Sequence, residues 1–85
     1  MSEDDLTVSV REVVKQYAGL KVDADTLDLA ADLYAAGMTS FASVEVMLGL
    51  EDMFGITFTQ DLIQRGTFLS IAAMAEAVSA IRDRN

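Results

Sequence analysis

Ser40 is the residue of this chain whose type and position best suit a chemical role. It follows the turn residue Gly37 and begins an apolar segment that carries a few acidic residues. The 85-residue sequence contains no histidine and no cysteine, so the usual general base and the thiolate nucleophile are both missing. A serine without a base is a weak nucleophile. Its position therefore indicates a hydroxyl that another enzyme modifies.

An enzyme made from this chain would have to rely on paired carboxylates, on Lys15 or Lys21, or on tyrosine. No pair of acidic residues has a spacing that points to a shared cleft. Without histidine and cysteine, the nitrogen and sulfur ligands that many metal sites use are absent as well. We therefore expect no catalytic residue, no metal site and no enzymatic activity.

The charge balance is strongly acidic, with 14 acidic against 6 basic residues and a net charge of −8 at pH 7. Because phosphate contacts need a basic surface, nucleic acid is not an expected partner. The acidic surface either attracts basic protein partners or simply keeps a small protein soluble and monomeric. The acidic start, residues 1–5, does not resemble a secretory signal, and no apolar run approaches the ~20 residues of a membrane span. We expect a cytoplasmic monomer with no membrane partner.

Apolar periodicity predicts an all-α fold in which residues 1–85 form one domain. The first helix has its apolar residues at helical spacing: Leu6, Val10, Val13, Val14 and Tyr17. The predicted helices run over about Asp4–Ala18, Ser40–Phe54, a short Gln60–Arg65 after a Thr59 cap, and a last helix that starts at Thr67 or Ser70 and ends near Arg82. The sequence thus predicts a four-helix bundle with a short third helix.

A long connection, residues 21–39, joins the first two predicted helices. A structureless segment of this length is uncommon in a compact domain unless its apolar side chains pack or it has a function. The spacing of Leu29, Leu33 and Tyr34 predicts a turn of helix packed on the core. The connection also holds four aspartates, some of which we expect to repel one another at neutral pH: Asp23, Asp25, Asp28 and Asp32.

The second predicted helix carries two apolar stripes on opposite sides. One stripe consists of Ser43, Val46, Met47, Leu50 and Phe54. The other consists of Phe41, Val44 and Leu48, with Glu45, Glu51 and Asp52 along its edge. An apolar patch edged by charge is typical of a protein interface, whereas a central helix would be buried on both sides. The pattern alone fits both interpretations.

The position of Ser40 at the start of this helix also has two interpretations. Serine is a common helix N-cap, and Thr39 competes with it for that role. Alternatively, Ser40 carries a phosphodiester, because the free N–H groups at a helix start tolerate an added phosphate. The two roles do not exclude each other.

An ordered set of segments resembles the acyl carrier protein family. Residues 37–41, Gly-Met-Thr-Ser-Phe, are similar to the family's Gly-hydrophobic-Asp-Ser-hydrophobic motif, and residues 50–56, Leu-Glu-Asp-Met-Phe-Gly-Ile, to its Glu-Glu-x-Phe-Gly-Ile segment. Residues 32–34, Asp-Leu-Tyr, are similar to the Asp-Leu-Phe-type segment before the motif. With the alanine-rich last helix, the resemblance covers about Leu6 to Ile81.

The resemblance implies that Ser40 is the attachment site of 4′-phosphopantetheine, transferred from coenzyme A by a phosphopantetheinyl transferase. The arm would supply the thiol that the chain lacks and would hold acyl or aminoacyl groups as thioesters. The resemblance also implies a surface that meets the basic docking faces of ligase and transferase enzymes. That surface, here called the partner face, consists of Phe41, Val44, Glu45, Leu48, Glu51 and Asp52.

Three residues near Ser40 depart from the pattern of fatty-acid carriers. Thr39 stands where those carriers usually have aspartate, Ala42 replaces a common acid, and Phe41 is bulkier than the usual leucine. These departures favour a specialised pathway over bulk fatty-acid synthesis, and residues 37–41 are similar to discrete carriers that stand-alone ligases load with amino acids. The alternative function is a helical interaction adaptor without an arm, in which Ser40 is only a helix cap.

Overall fold

The computed structural model describes residues 4–84, which form three α-helices joined by loops that contain short 3₁₀ turns. Helix α1 spans Asp5–Tyr17, α2 spans Ser40–Phe54 and α3 spans Ile71–Arg84. The 3₁₀ turns are Ala24–Thr26, Gln60–Leu62 and Arg65–Phe68. No strand occurs within residues 4–84, which agrees with the predicted all-α class. Residues 1–3, part of the acidic start discussed above, lie outside the described region.

The structure corrects the predicted number of helices from four to three. In place of the short third helix, residues 60–68 form two 3₁₀ turns, in which Leu62 N–H, for example, donates to Thr59 O at 2.9 Å. Thr59 makes no side-chain cap hydrogen bond to this segment, and Gly66 lies inside the second turn. Because starting an α-helix is unfavourable and glycine weakens it further, so short a segment forms tighter single turns instead.

Polar side chains cap α1 and α3 at their starts. Asp4 Oδ1 accepts the Thr7 N–H at 2.8 Å, and the Thr7 hydroxyl donates to the same oxygen. These two hydrogen bonds, the hydroxyl first, lower the pKa of the Asp4 carboxyl. Ser70, one of the two starts predicted for the last helix, accepts the Ala73 N–H through Oγ at 3.0 Å. Helix α3 extends slightly beyond its predicted end.

The core lies between the three helices and includes side chains from the loops. Its fully buried residues are Val10, Val13, Val14, Leu33, Val46, Leu50, Ile71, Met74 and Val78. Helix α1 approaches α2 closely at Gly49, where an added Cβ would lie 2.9 Å from both Val13 Cγ1 and the ring of Tyr17. A larger residue at position 49 would therefore push α1 and α2 apart.

Backbone hydrogen bonds tie the long connection between α1 and α2 to the rest of the fold. Leu33 N–H donates to Leu69 O at 2.8 Å, and Ala72 N–H donates to Leu29 O at 3.0 Å. Leu33 is fully buried, and a hydrogen-bonded turn occupies residues 33–37. This arrangement agrees with the packed turn that the sequence predicts.

Three of the four aspartates in this connection have local partners. Asp25 Oδ2 accepts from Lys15 Nζ at 2.7 Å, and this contact raises the pKa of Lys15. Asp23 Oδ1 accepts the Asp25 N–H at 2.9 Å. Asp32 Oδ1 accepts the Tyr34 N–H, also at 2.9 Å. These contacts offset part of the mutual repulsion expected from the sequence.

Candidate functional site

Ser40 is the first residue of α2 and is exposed. The preceding residue, Thr39, caps the helix, because its Oγ1 accepts the Ala42 N–H at 3.0 Å. Ser43 Oγ donates to the Ser40 carbonyl oxygen at 2.6 Å, so the second serine of this segment is engaged with the backbone. Thr39, and not Ser40, is therefore the N-cap of α2. The adaptor alternative assumed that Ser40 is the cap, and the structure contradicts that assumption.

The turn before Ser40 depends on glycine and on backbone hydrogen bonds. Gly37 has a φ of 118°, a region that favours glycine, and a Cβ there would lie 3.0 Å from Lys21 Cγ. Met38 is buried, and its N–H donates to Leu33 O at 3.0 Å. The chain thus reaches Ser40 from a packed turn, which fixes where the hydroxyl sits on the surface.

A groove of about 330 Å³, here called the Ser40 groove, opens beside this hydroxyl. Its walls come from the turn before α2, from α2 itself and from the loop before α3. The lining residues are Tyr34, Ser40, Ser43, Val44, Met47, Ile63, Gln64, Arg65 and Phe68. The lining is mostly apolar, and Arg65 is its charged member. A flexible group attached to Ser40 would therefore start at the edge of an apolar groove that one cation borders.

The partner face predicted from the sequence is largely open to solvent. Phe41 is 77% exposed, Val44 49% and Leu48 55%, and Glu45 and Asp52 are exposed beside them. The opposite stripe of α2 packs into the core, with Val46 and Leu50 fully buried. The alternative in which α2 is buried on both sides is therefore wrong.

Glu51 differs from the other residues of the predicted partner face. It is half-buried, and its Oε2 accepts the Phe58 N–H at 2.8 Å. Phe58 is itself buried against Phe68, with their ring centroids 5.5 Å apart. The Glu51 carboxylate therefore holds the loop that follows α2, a structural task that the sequence pattern did not reveal.

A second, smaller groove of about 220 Å³ lies at the edge of the partner face. It is lined by Tyr17, Glu45, Leu48, Gly49 and Asp52. Sequence spacing placed Tyr17 with the core residues of α1, yet it is 43% exposed. One side of its ring lies against Gly49, where an added Cβ would be 2.9 Å from two ring carbons.

Arg65 and Tyr34 meet at the Ser40 groove, a contact that the sequence does not predict. The Arg65 guanidinium lies over the Tyr34 ring, 3.8 Å from its centroid. The available signal in the sequence was that Arg65 is the one basic residue between Lys21 and Arg82. Position along the chain did not reveal that this base lies next to Ser40.

Residues 8–78 match the family described as the phosphopantetheine attachment site. The chain belongs to this family. The residues at the start of α2 fit the group that gives the family its name. Ser40 offers an exposed hydroxyl that the helix does not need for its cap, and the groove beside it is apolar enough to accept the aliphatic part of an arm. The predicted cofactor is thereby confirmed at the level of the family.

Individual relatives are carriers of amino acids. The chain is 42% identical over 78 residues to an aminoacyl carrier protein of Agrobacterium fabrum, a match that covers 92% of this chain and 94% of that protein. It is therefore a homologue of an aminoacyl carrier protein.

Two solved complexes contain similar structures. One complex holds an engineered Bradyrhizobium japonicum glycine:[carrier protein] ligase with a carrier protein from Agrobacterium tumefaciens and AMP. The match to this structure has a TM-score of 0.83 and 42% sequence identity. It covers 86% of this chain and 97% of the matched chain. The other holds the Bradyrhizobium japonicum ligase with glycylated carrier protein; the match has a TM-score of 0.74 and 27% identity and covers 87% of this chain and 99% of that one. The fold described above is thus that of carrier proteins.

Neither a membrane-spanning helix nor a metal-binding cluster occurs within the described residues. None of the helices within residues 4–84 has the length and apolar character needed to cross a membrane. The same part of the chain has no group of three or more acidic side chains arranged to hold a metal ion.

Proposed function

We propose that residues 1–85 form a single, monomeric carrier domain that works in the cytoplasm and holds aminoacyl groups as thioesters on a 4′-phosphopantetheine arm attached to Ser40. The arm, when bound, supplies the thiol that forms the thioester. The protein itself catalyses no reaction. It presents one hydroxyl for modification and one surface for the enzymes that load and unload the arm.

The observation that carries this proposal is that Thr39 caps α2 while the neighbouring Ser40 is exposed and is not the cap. Thr39 caps α2, so modification of Ser40 leaves the helix start intact. Ser40 is exposed and follows a turn that Gly37 and Met38 hold in place. A transferase can therefore reach the hydroxyl in a fixed position without unfolding the helix.

The proposed loading enzyme is an amino acid ligase. Support comes from the carrier protein of Agrobacterium tumefaciens, which is 42% identical to this chain and is complexed with a glycine:[carrier protein] ligase. The exposed Phe41, Val44 and Leu48 offer apolar contact area, and Glu45 and Asp52 add negative charge that would guide a basic docking surface. The phosphopantetheinyl transferase would approach the same part of the molecule, because Ser40 lies at the start of the same helix.

The two neighbours of Ser40, Thr39 and Phe41, support a specialised cargo. Thr39 places a neutral cap beside the attachment point, and Phe41 projects a large exposed ring next to it. Enzymes that expect an aspartate and a smaller side chain there would meet a mismatch, and mismatches contribute to specificity. We therefore propose that fatty-acid elongation enzymes use this carrier poorly.

A loading assay tests this function. The holo protein, prepared with coenzyme A and a phosphopantetheinyl transferase, is offered to a glycine:[carrier protein] ligase with ATP and glycine, and in parallel to a malonyl transferase. We expect intact mass to show glycyl loading and little malonyl loading, and a fatty-acid carrier to show the reverse. Efficient malonyl loading and elongation, with no aminoacyl loading, would replace the proposal with a role in fatty-acid synthesis.

A further inference from the structure

The cation of the Ser40 groove has no role in the fold described so far. Arg65 is exposed, and within residues 4–84 its guanidinium contacts the Tyr34 ring and no carboxylate. Its place in the molecule is what sets Arg65 apart, because it is the basic residue among those that line the Ser40 groove. Two other bases are held away from this groove: Lys15 by Asp25 and Arg11 by the Ala24 and Leu27 carbonyl oxygens.

The backbone segments that carry Arg65 and Tyr34 are each held by contacts of their own. Tyr34 belongs to the turn before α2, where the Asp32 carboxylate accepts the Tyr34 N–H at 2.9 Å. On the other side, Thr67 and Phe68 are buried and anchor the 3₁₀ turn that begins at Arg65. Both ends of the stacked pair are therefore attached to well-packed backbone.

A guanidinium whose carbon lies over a ring face does not use its N–H groups in that contact, so they stay available to an anion. That arrangement suits two parallel hydrogen bonds to the oxygens of a phosphate. The stacked position also reduces the side-chain freedom lost when an anion binds. Because Ser40 and Arg65 line the same groove of about 330 Å³, a phosphate bonded to Ser40 Oγ would enter the space that the guanidinium borders.

We propose that Arg65, held over the ring of Tyr34, pairs with the phosphodiester that joins the arm to Ser40; this rests on the attachment at Ser40 proposed above. The pair directs the first bonds of the arm along the Ser40 groove. Arg65 is thus a positioning residue for the cofactor, and it supplies a local positive charge that the acidic partner face lacks.

The apo and holo forms of the same protein provide the test. Intact mass first establishes that one phosphopantetheinyl group has been added, so a failure of attachment is seen separately and concerns Ser40 alone. The side-chain Nε–Hε resonance of Arg65 is then compared between the two forms by NMR. We expect it to shift on modification, while that of Arg82, which lies near the Phe54 ring at 5.7 Å from its centroid, stays in place.

Variants give a second, independent readout, the change in melting temperature from apo to holo at low salt. We expect modification to raise the melting temperature of the wild type and of Arg82→Gln, but to raise that of Arg65→Gln less or to lower it. Arg65→Lys should fall between, because it keeps the charge and loses the fork. Tyr34→Phe keeps the ring, so its melting temperature should rise on modification as much as that of the wild type. Tyr34→Leu removes the ring, so its melting temperature should rise much less.

Each variant is compared with its own apo form, so a change in overall stability does not hide the result. The proposal is overturned if the Arg65 resonance is the same in both forms of a fully modified protein. It is also overturned if Arg65→Gln and Arg82→Gln show the same apo-to-holo increment.

Discussion

One apolar face of α2 is buried in the core, and the other is exposed to solvent. Val46 and Leu50 on one face are fully buried and contribute to the contacts that hold α1, α2 and α3 together. Phe41, Val44 and Leu48 on the other face are about half exposed or more and are edged by Glu45 and Asp52. The comparison shows that hydrophobic content alone does not tell a core stripe from a binding stripe in a helix of this kind. What separates the two faces is the number of elements available to cover them.

The largest expected difference between the faces is in stability, and two leucines of the same helix measure it. Leu50→Ala removes a fully buried side chain and should lower the free energy of unfolding by about 2–5 kcal/mol. Leu48→Ala is the matched control on the exposed face and should change it by no more than about 0.5 kcal/mol. Urea unfolding followed by circular dichroism gives both values. Equal losses would mean that the exposed face is also part of the core.

A second prediction divides the acidic residues of the partner face into two groups. Glu51→Gln keeps an oxygen that accepts the Phe58 N–H but removes its charge, so it should cost roughly 1–1.5 kcal/mol of stability. Glu45→Gln and Asp52→Asn should leave stability unchanged. They should instead slow association with the ligase and reduce its salt dependence, because exposed charges act by steering and are screened by salt.

Unfolding curves and association rates at two salt concentrations separate these groups. If Glu51→Gln leaves stability unchanged and slows association as much as Glu45→Gln does, Glu51 belongs to the partner face after all. An association rate that none of the three variants alters would place recognition elsewhere on the molecule.

Phe41 tests the exposed face as a binding surface. Its ring is 77% exposed, so Phe41→Ala should leave the fold intact. If the ring is an anchor at the ligase interface, its loss should cost about 2 kcal/mol of binding free energy, or about thirtyfold in Kd. Calorimetric titration of the holo variant against the ligase measures this. A Kd equal to that of the wild type would remove Phe41 from the predicted interface.

The smallest expected effect is on stability at the start of α2. Thr39→Ala removes the cap to Ala42 N–H and should cost about 0.5–2 kcal/mol, with ~1 typical. Ser40→Ala, one residue further along, should have almost no effect on stability, because Ser40 is not the cap. Unfolding curves of the two variants are directly comparable. A larger loss in Ser40→Ala would return the capping role to Ser40.

Several features of this fold could be predicted from the sequence because they depend on local signals. Helix α2 begins at Ser40 and ends at Phe54, as predicted, since Thr39 and the left-handed Gly55 mark its two ends. The segment after it was predicted less well. The sequence predicts Thr59 as the cap of a short helix, but it makes no side-chain cap hydrogen bond, and so short a segment with Gly66 inside its second turn forms 3₁₀ turns instead.

At the candidate site, too, features within one helix could be predicted and features built from several segments could not. Ser40 and the exposed apolar residues of α2 could be found from spacing and resemblance, because they lie within one helix. The Ser40 groove could not, since it joins Tyr34, Met47 and Arg65 from three separate segments. Helical spacing places Tyr17 on the core side of α1, yet its ring is 43% exposed and lies against Gly49 of α2, a contact between two helices that spacing within one helix does not predict.

We propose that Ser40, and no other hydroxyl of the chain, carries the phosphopantetheine arm. The most direct measurement is the intact mass and peptide map of the protein after incubation with coenzyme A and a phosphopantetheinyl transferase. We expect one added phosphopantetheinyl group on the peptide that contains Ser40, none in Ser40→Ala, and full modification in Ser43→Ala, the matched control in the next turn. Modification that persists in Ser40→Ala, or that maps to Ser43, would contradict it.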